Sequence, residues 1–283
     1  MTKDQLLEAL QEGLIYEALD LPKLLKDMTR LKFAQFVIDN SGNPNALIRE
    51  NMMGIHDRLV EEAHLPKTEI RHLYYDSMEN LFKGLGSKGD DSVFYRAFAS
   101  LYMAFILDMD EEWELGVLNY DRYIHGVEAT IDYMTMEVDR RGFVPGKGWA
   151  DAIGHGALLL QSLVEHSRFP MEYAGRILNC LKIHITAQES YTTCEEQRFA
   201  GVILALLEKG YSQSGLKNWI KSLVPENTAK PCTDESYLFA RIVLNVKYLL
   251  AALFFALEDS PEWADLRKFI IQYEPTIPGC LHP

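Results

Sequence analysis

The stretch Phe199-Ala-Gly-Val-Ile-Leu-Ala-Leu-Leu207 decides the fold. Phe199, Val202, Ile203, Leu206 and Leu207 recur at i, i+3, i+4, i+7 and i+8, which draws one apolar stripe down a helix; a strand alternates its faces at every residue and would not. Working outward, the helical period recurs almost everywhere and strand alternation hardly appears. Thr2 with Gln5 and Thr193 with Glu196 read as capping boxes. Asn43-Pro44 and Ser260-Pro261-Glu262 each set a capping side chain before a proline at the first helical position. Gly84, Gly142 and Gly210 sit where helices should stop. Together these signals predict about 11 to 13 helices joined by short turns, over roughly 3–18, 22–39, 44–63, 67–83, 91–109, 117–140, 148–166, 171–186, 194–209, 214–223, 234–257 and 261–273.

Short links imply antiparallel helical hairpins. Many such hairpins stack most simply as a HEAT/armadillo-like α-solenoid or an α/α superhelix, so the expected class is all-α. No repeat period shows in the sequence, so any repeats are degenerate. No Pro/Ser-rich linker divides the 283 residues, and 1–283 reads as a single helical-repeat domain with a C-terminal tail at 274–283. Two helices are nearly apolar on all sides. From Ser92 to Leu107 the one charge is Arg96, and from Tyr237 to Leu257 the charges are Arg241 and Lys247. Such helices belong to the inner layer of a stack, or else to a subunit interface.

The balance of 41 acidic to 28 basic residues, a net of −13, argues against nucleic acid and anionic membranes as partners, since both require a basic surface. Cys180, Cys194, Cys232 and Cys280 are widely spaced, with no Cys-x-x-Cys pair, which excludes the usual zinc clusters and disulfide frameworks. The N-terminal residues lack the apolar core of a signal peptide. The run Tyr248–Leu257 falls short of the roughly 20 residues that span a bilayer. A reducing cytoplasm and no cofactor are the expectation.

The densest group of ionisable residues is Glu137-Val-Asp-Arg-Arg-Gly-Phe-Val-Pro-Gly-Lys-Gly-Trp-Ala-Asp-Ala-Ile-Gly-His155. Here one helix ends, a glycine-rich turn follows, and the next helix opens on Trp149, Asp151 and His155. Asp151 and His155, four apart, share a helical face that could hold a metal or act as a base with its orienting partner; the plainer reading is an i, i+4 pair. Trp149 falls on the apolar side. Gly142 reads as a helix C-cap and Pro145-Gly146 as a tight turn. Arg96, set among Phe94, Tyr95 and Phe98, needs a carboxylate, for which Glu137, Asp139 and Glu195 are the candidates. Gly84-Leu-Gly-Ser-Lys-Gly89 spells the dinucleotide fingerprint, but a helix precedes it and Asp90-Asp91 follows, so it reads as an interhelical loop. His56, His64 and His72, eight apart, rotate off any common face.

Three blocks carry a family resemblance: Asp91-Ser-Val-Phe-Tyr-Arg96-Ala-Phe-Ala, the block from Glu137 through Trp149 to His155-Gly-Ala, and Glu195-Glu-x-Arg198-Phe-Ala. In order and spacing they resemble the bacterial domain of unknown function family numbered 2785, over roughly residues 90–210. The resemblance implies an all-α, HEAT-like or α/α superhelical fold in small cytoplasmic proteins, with no activity attached. In the family's tryptophan block the positions of Asp151, His155 and Leu158 carry His, His and Asp, a set suited to a metal or an acid/base group. Here one is changed and one is lost.

The expected function is therefore that of a binding or scaffold module. Its polar groove would be lined by Arg96, Glu137, Asp139, Arg140, Trp149, Asp151, His155, Glu195 and Arg198, and would engage a protein, peptide or small ligand as a monomer or homodimer. The alternative is a metal-assisted hydrolase using Asp151, His155 and a third carboxylate.

Overall fold

The computed structural model describes residues 1–25, 29–62, 65–226, 233–258 and 261–273. Among them stand thirteen α-helices and one short hairpin, so the chain is all-α, as its periodicity predicts. It divides into two compact units, Met1–Arg168 and Phe169–Pro283. The tail at 274–283, His64, Cys232 and the Ser260 cap lie outside the described residues.

The first unit holds α1 (Lys3–Gln11), α2 (Leu21–Leu24), α3 (Arg30–Asp39), α4 (Ala46–Glu61), α5 (Lys67–Asn80), α6 (Ser92–Glu112), α7 (Tyr120–Met136), β1 (Phe143–Val144), β2 (Gly148–Trp149) and α8 (Ala152–Glu165). The Thr2–Gln5 capping box forms as read. At α4 the cap moves two residues along: Asn45 takes the amides of Leu47 and Ile48, while Asn43 accepts the amide of Asn45 and leaves Pro44 in the turn. Helix α6 is the inner element, packed on α4, α5 and α8. Its Val93, Phe94, Ala97, Phe98, Tyr102, Met103, Ile106 and Leu107 are all buried, and each large side chain among them contributes roughly 1.5–3 kcal/mol by leaving water. Helix α7 is tied to both ends of α8. Tyr133 Oη donates to the Ala152 carbonyl at 3.0 Å, and Tyr123 Oη to that of Leu163 at 2.5 Å.

Three expectations fail between α7 and α8. Helix α7 stops at Met136, because Glu137 adopts extended backbone (φ −68°, ψ 125°). Gly142 thus caps no helix. The stretch read as the start of a helix at 148 forms β2 instead, and α8 begins only at Ala152, after Asp151 takes the left-handed conformation (φ 52°). The Pro145-Gly146 turn stands, as the turn of the hairpin.

The second unit holds α9 (Ala174–Ile185), α10 (Glu195–Glu208), α11 (Gln213–Lys221), α12 (Asp234–Ala256) and α13 (Ala264–Gln272). The Phe199–Leu207 stripe is buried along α10 as its spacing predicts, and Gly210 (φ 98°) follows the helix end. The Thr193–Glu196 capping box does not form. Left-handed Cys194 begins α10 without a side-chain cap, and the Glu195 carboxylate turns back to accept the amides of Thr192 and Thr193. Asn245, a polar group inside apolar α12, is buried with its amide donating to the carbonyls of Ile185, the last residue of α9, and of Ala187 and Glu189 beyond it. The two apolar helices part company. Both are long and apolar enough to cross a membrane by length and composition, yet 67% of the most apolar window is buried in α6 and only 33% in α12.

Candidate functional site

Glu137 leaves α7 with its carboxylate folded back onto the chain. Oε1 accepts the amides of Val138 and Asp139, at 2.9 and 2.8 Å. The same carboxylate takes Arg96 in a fork, Nε to Oε2 at 2.5 Å and Nη2 to Oε1 at 3.1 Å. Arg96 Nη1 donates to the carbonyls of Lys83 and Gly84 and to Ser92 Oγ. Both side chains are fully enclosed. One guanidinium thereby fastens α6 to the end of α7 and to the loop after α5. This is the buried ion pair that Arg96 required.

Asp139, also buried, fixes the glycine-rich loop. Its Oδ2 accepts the Gly89 amide at 2.9 Å and Arg141 Nη2 at 2.7 Å, and Oδ1 accepts the Arg141 amide and Nε. Arg141 reaches on to the Asp90 carbonyl. Burial pushes the Asp139 carboxyl up, but the hydrogen bonds from Arg141 and Gly89 outweigh it and hold the group below the usual range. A loop amide that a dinucleotide fingerprint would offer to phosphate is here taken by the protein's own carboxylate.

The hairpin between these anchors pairs Phe143 with Trp149 and Val144 with Gly148. Two further backbone bonds extend it, Ala150 to the Gly142 carbonyl at 2.8 Å and Asp151 to that of Arg141 at 3.1 Å. Arg49 braces it from α4. Its Nη2 donates to the carbonyls of Lys147 (2.7 Å) and Trp149 (3.0 Å), its Nη1 to that of Asn43 (2.7 Å). The guanidinium lies 4.1 Å from the centre of the Phe94 ring and 5.1 Å from that of Phe98. Arg49 is fully buried, and that burial lowers its pKa. Sequence reasoning missed it, because Arg49 stands beside polar Glu50 and Asn51 rather than alone in an apolar run. Lys147 Nζ pairs with both oxygens of Asp91, at 2.6 and 2.7 Å.

On this braced hairpin Phe143 and Trp149 stand 56% and 49% exposed, edge to face with ring centres 5.2 Å apart. Trp149 is thus neither helical nor core. Asp151 and His155 meet as an i, i+4 pair, Oδ2 to Nε2 at 3.8 Å, each about one-eighth exposed. That separation is longer than a hydrogen bond. His155 also lies edge-on to Phe98. Arg140 is partly buried.

Glu195 is buried against the amides of Thr192 and Thr193 in the second unit, and Arg198 is exposed there. Of the expected groove, then, the structure gathers Arg96, Glu137 and Asp139 into a buried bracing network, so these three do not line open surface. Accessible beside them are the rings of Phe143 and Trp149, together with the half-exposed Lys147–Asp91 pair. Among the described residues no group of three or more His, Cys, Asp or Glu side chains is arranged to hold a metal ion.

Neither a curated protein nor a solved structure matches the chain. Residues 81–255 match the model of the family described as "Protein of unknown function (DUF2785)". The matched span runs from the end of α5 almost to the end of α12 and takes in the Arg96–Glu137 pair, the Asp139 anchor and the aromatic hairpin. It covers more than half of the sequence, and the chain belongs to this family.

Proposed function

We propose that this protein is a non-catalytic helical-repeat recognition module whose contact surface is the β1–β2 hairpin, with a protein or peptide as partner. One observation carries the reading: two large aromatic side chains are exposed together on a hairpin whose backbone is fixed by buried charges. Exposed rings lose little on their own, but on a rigid support they make contact area at small entropic cost, which is why tryptophan recurs at interface hot spots. Packing within each unit supports the repeat half of the proposal. Helices two apart in the chain lie together, α3 on α5, α4 on α6, α6 on α8, α10 on α12 and α11 on α13, the neighbour pattern of stacked helical pairs.

The test is selection of a displayed random-peptide library on the purified protein. The selected peptides should bind Trp149→Ala and Phe143→Ala roughly 30-fold more weakly, the effect of losing a hot spot of about 2 kcal/mol. Melting temperature should fall far less than for a core aromatic, because each ring is about half exposed. Peptides that bind wild type and Trp149→Ala equally well would sink the proposal.

A second reading, metal-assisted hydrolysis, has the Asp151–His155 contact in its favour. It offers two groups where a catalytic metal takes at least three protein ligands. A thermal-shift series with divalent zinc, manganese, cobalt and nickel tests it. A stabilisation abolished by His155→Ala would favour hydrolysis over recognition.

A further inference from the structure

Helix α12 presents a seam that the described residues of the second unit leave bare. Tyr237, Arg241, Leu244, Tyr248, Ala251 and Phe255 follow at intervals of four, three, four, three and four, the alternation that keeps side chains on the line where two helices supercoil. Tyr237 is 62% exposed, Tyr248 49% and Phe255 67%; Leu244 and Ala251 are exposed as well. The helix meets its own unit through other residues, Val243, Val246, Leu249, Leu250 and Leu253, which are buried. One apolar stripe suffices to seat a helix on a core. A second one, in coiled-coil register and open to water, calls for a helical partner. Beside it a cleft of about 320 Å³ continues the apolar surface through Phe254, Phe255 and Ile271.

We infer that this seam is covered by a second copy of the chain, its α12 running antiparallel across a two-fold axis that crosses the seam midway between Leu244 and Tyr248. The register is self-complementary. Tyr237 falls opposite the partner subunit's Phe255, Leu244 opposite the partner subunit's Tyr248, and the long Arg241 opposite the partner subunit's Ala251, the smallest residue of the seam. Antiparallel helices also oppose their dipoles favourably. Aromatic side chains carry about 150–250 Å² each, so the three half-bare rings with Leu244, Phe254 and exposed Ile271 offer on the order of 500–600 Å² per copy. Doubled, that reaches the low end of specific interfaces, about 1,000–1,200 Å². The seam itself bears only the cation Arg241, with Lys247 beside it. The −13 net charge of each chain opposes association at long range, so added salt should tighten the dimer by screening.

Sedimentation velocity across the micromolar range tests the inference. The full chain should pass from 32.4 kDa to twice that mass, more readily at higher salt. Leu244→Glu with Tyr248→Glu should weaken the dimer about 100-fold or more, as the loss of two hot spots would, with helical content by circular dichroism unchanged; Tyr248→Phe should keep it. Tyr237→Lys, near the start of the helix, serves as a second disrupting variant. Orientation is tested by oxidising Tyr237→Cys/Phe255→Cys. Within one chain these positions lie about 27 Å apart along α12, too far for a disulfide, so a mapped 237–255 link arises only between antiparallel copies. A monomer at every concentration, a dimer indifferent to the seam variants, a 237–237 link, or flotation with phosphatidylcholine vesicles through the same residues would each overturn the inference.

Discussion

Arg49 and Arg96 bring the same charge into the same apolar unit and are satisfied in different ways. Arg96 finds the Glu137 carboxylate, whereas Arg49 finds three carbonyls and two aromatic faces. The difference predicts different losses. Arg96→Met strands a buried carboxylate and should cost about 3–5 kcal/mol in urea unfolding. Adding Glu137→Leu should recover only part, because the amides of Val138 and Asp139 then lose their acceptor. A double variant as stable as wild type would show that those amides find other partners. Arg49→Lys keeps the charge but loses the fork that spans two carbonyls, and should cost about 1.5–3 kcal/mol. Arg96 was legible in the sequence because it is the lone charge in an apolar run. Arg49 sits in Ile48-Arg49-Glu50-Asn51, where three consecutive polar residues read as a solvent-facing turn of helix, and the folded hairpin supplies two of its acceptors.

The β1–β2 hairpin is the element that sequence reasoning described least well. Its strands are two residues each, too short to show a period of two, while Asp151 and His155 at i, i+4 pull the same segment toward a helix starting earlier. The switch is the left-handed backbone at Asp151. A non-glycine residue adopts it only when surrounding structure compels it, so no local signal announces it. The turn itself was readable from Pro145-Gly146. Gly148 gives the element its sharpest test. It combines φ +81° with crowding: an added Cβ would lie 2.9 Å from Ala46 Cβ and 3.2 Å from Arg49 Nη2. Gly146, at φ +77°, has open space around it. Gly146→Ala should therefore cost only the left-handed conformation, about 1–2 kcal/mol, while Gly148→Ala should cost more and also shift Trp149 emission, because it pushes on the Arg49 brace. Equal losses, with Trp149 emission unchanged in both, would show that Arg49 does not hold the hairpin in place.

At the scale of the chain, the all-α class and the positions of most helices could be read from apolar spacing, because burial of one stripe per helix is what the period records. The boundary at Arg168–Phe169 could not. Ser167 to Pro170 is a short interhelical turn like many others, and only long-range packing marks it as a limit between units. Charge is divided unevenly across that limit: Met1–Arg168 holds 28 acidic and 17 basic residues, Phe169–Pro283 holds 13 and 11. Stability against pH should therefore be governed mainly by groups of the first unit. Asp139 is held below the usual carboxylate range, its burial outweighed by hydrogen bonds from Arg141 and Gly89. Asp110 is held low too, its burial outweighed by His166 and the amides of Val117 and Leu118. The stability these two contribute is fully present above the unfolded value of about 3.9 and is lost as pH falls through their lower folded values. Glu50, Asp76 and Asp108 act oppositely. Burial raises them, so their contribution is present at low pH and fades as pH rises through their raised values. Burial also raises Tyr102 and Tyr133, which keeps them neutral in the fold while the unfolded chain ionises near pH 10, so stability should fall again above about pH 10. Melting temperature measured against pH should thus be a dome with separable flanks. Asp139→Asn should lower the plateau and flatten the acid flank, since the variant no longer has that proton to take up, and it should leave the alkaline flank where it was. An acid flank as steep as wild type would mean that Asp139 is not the group whose protonation unlocks the loop at Gly89.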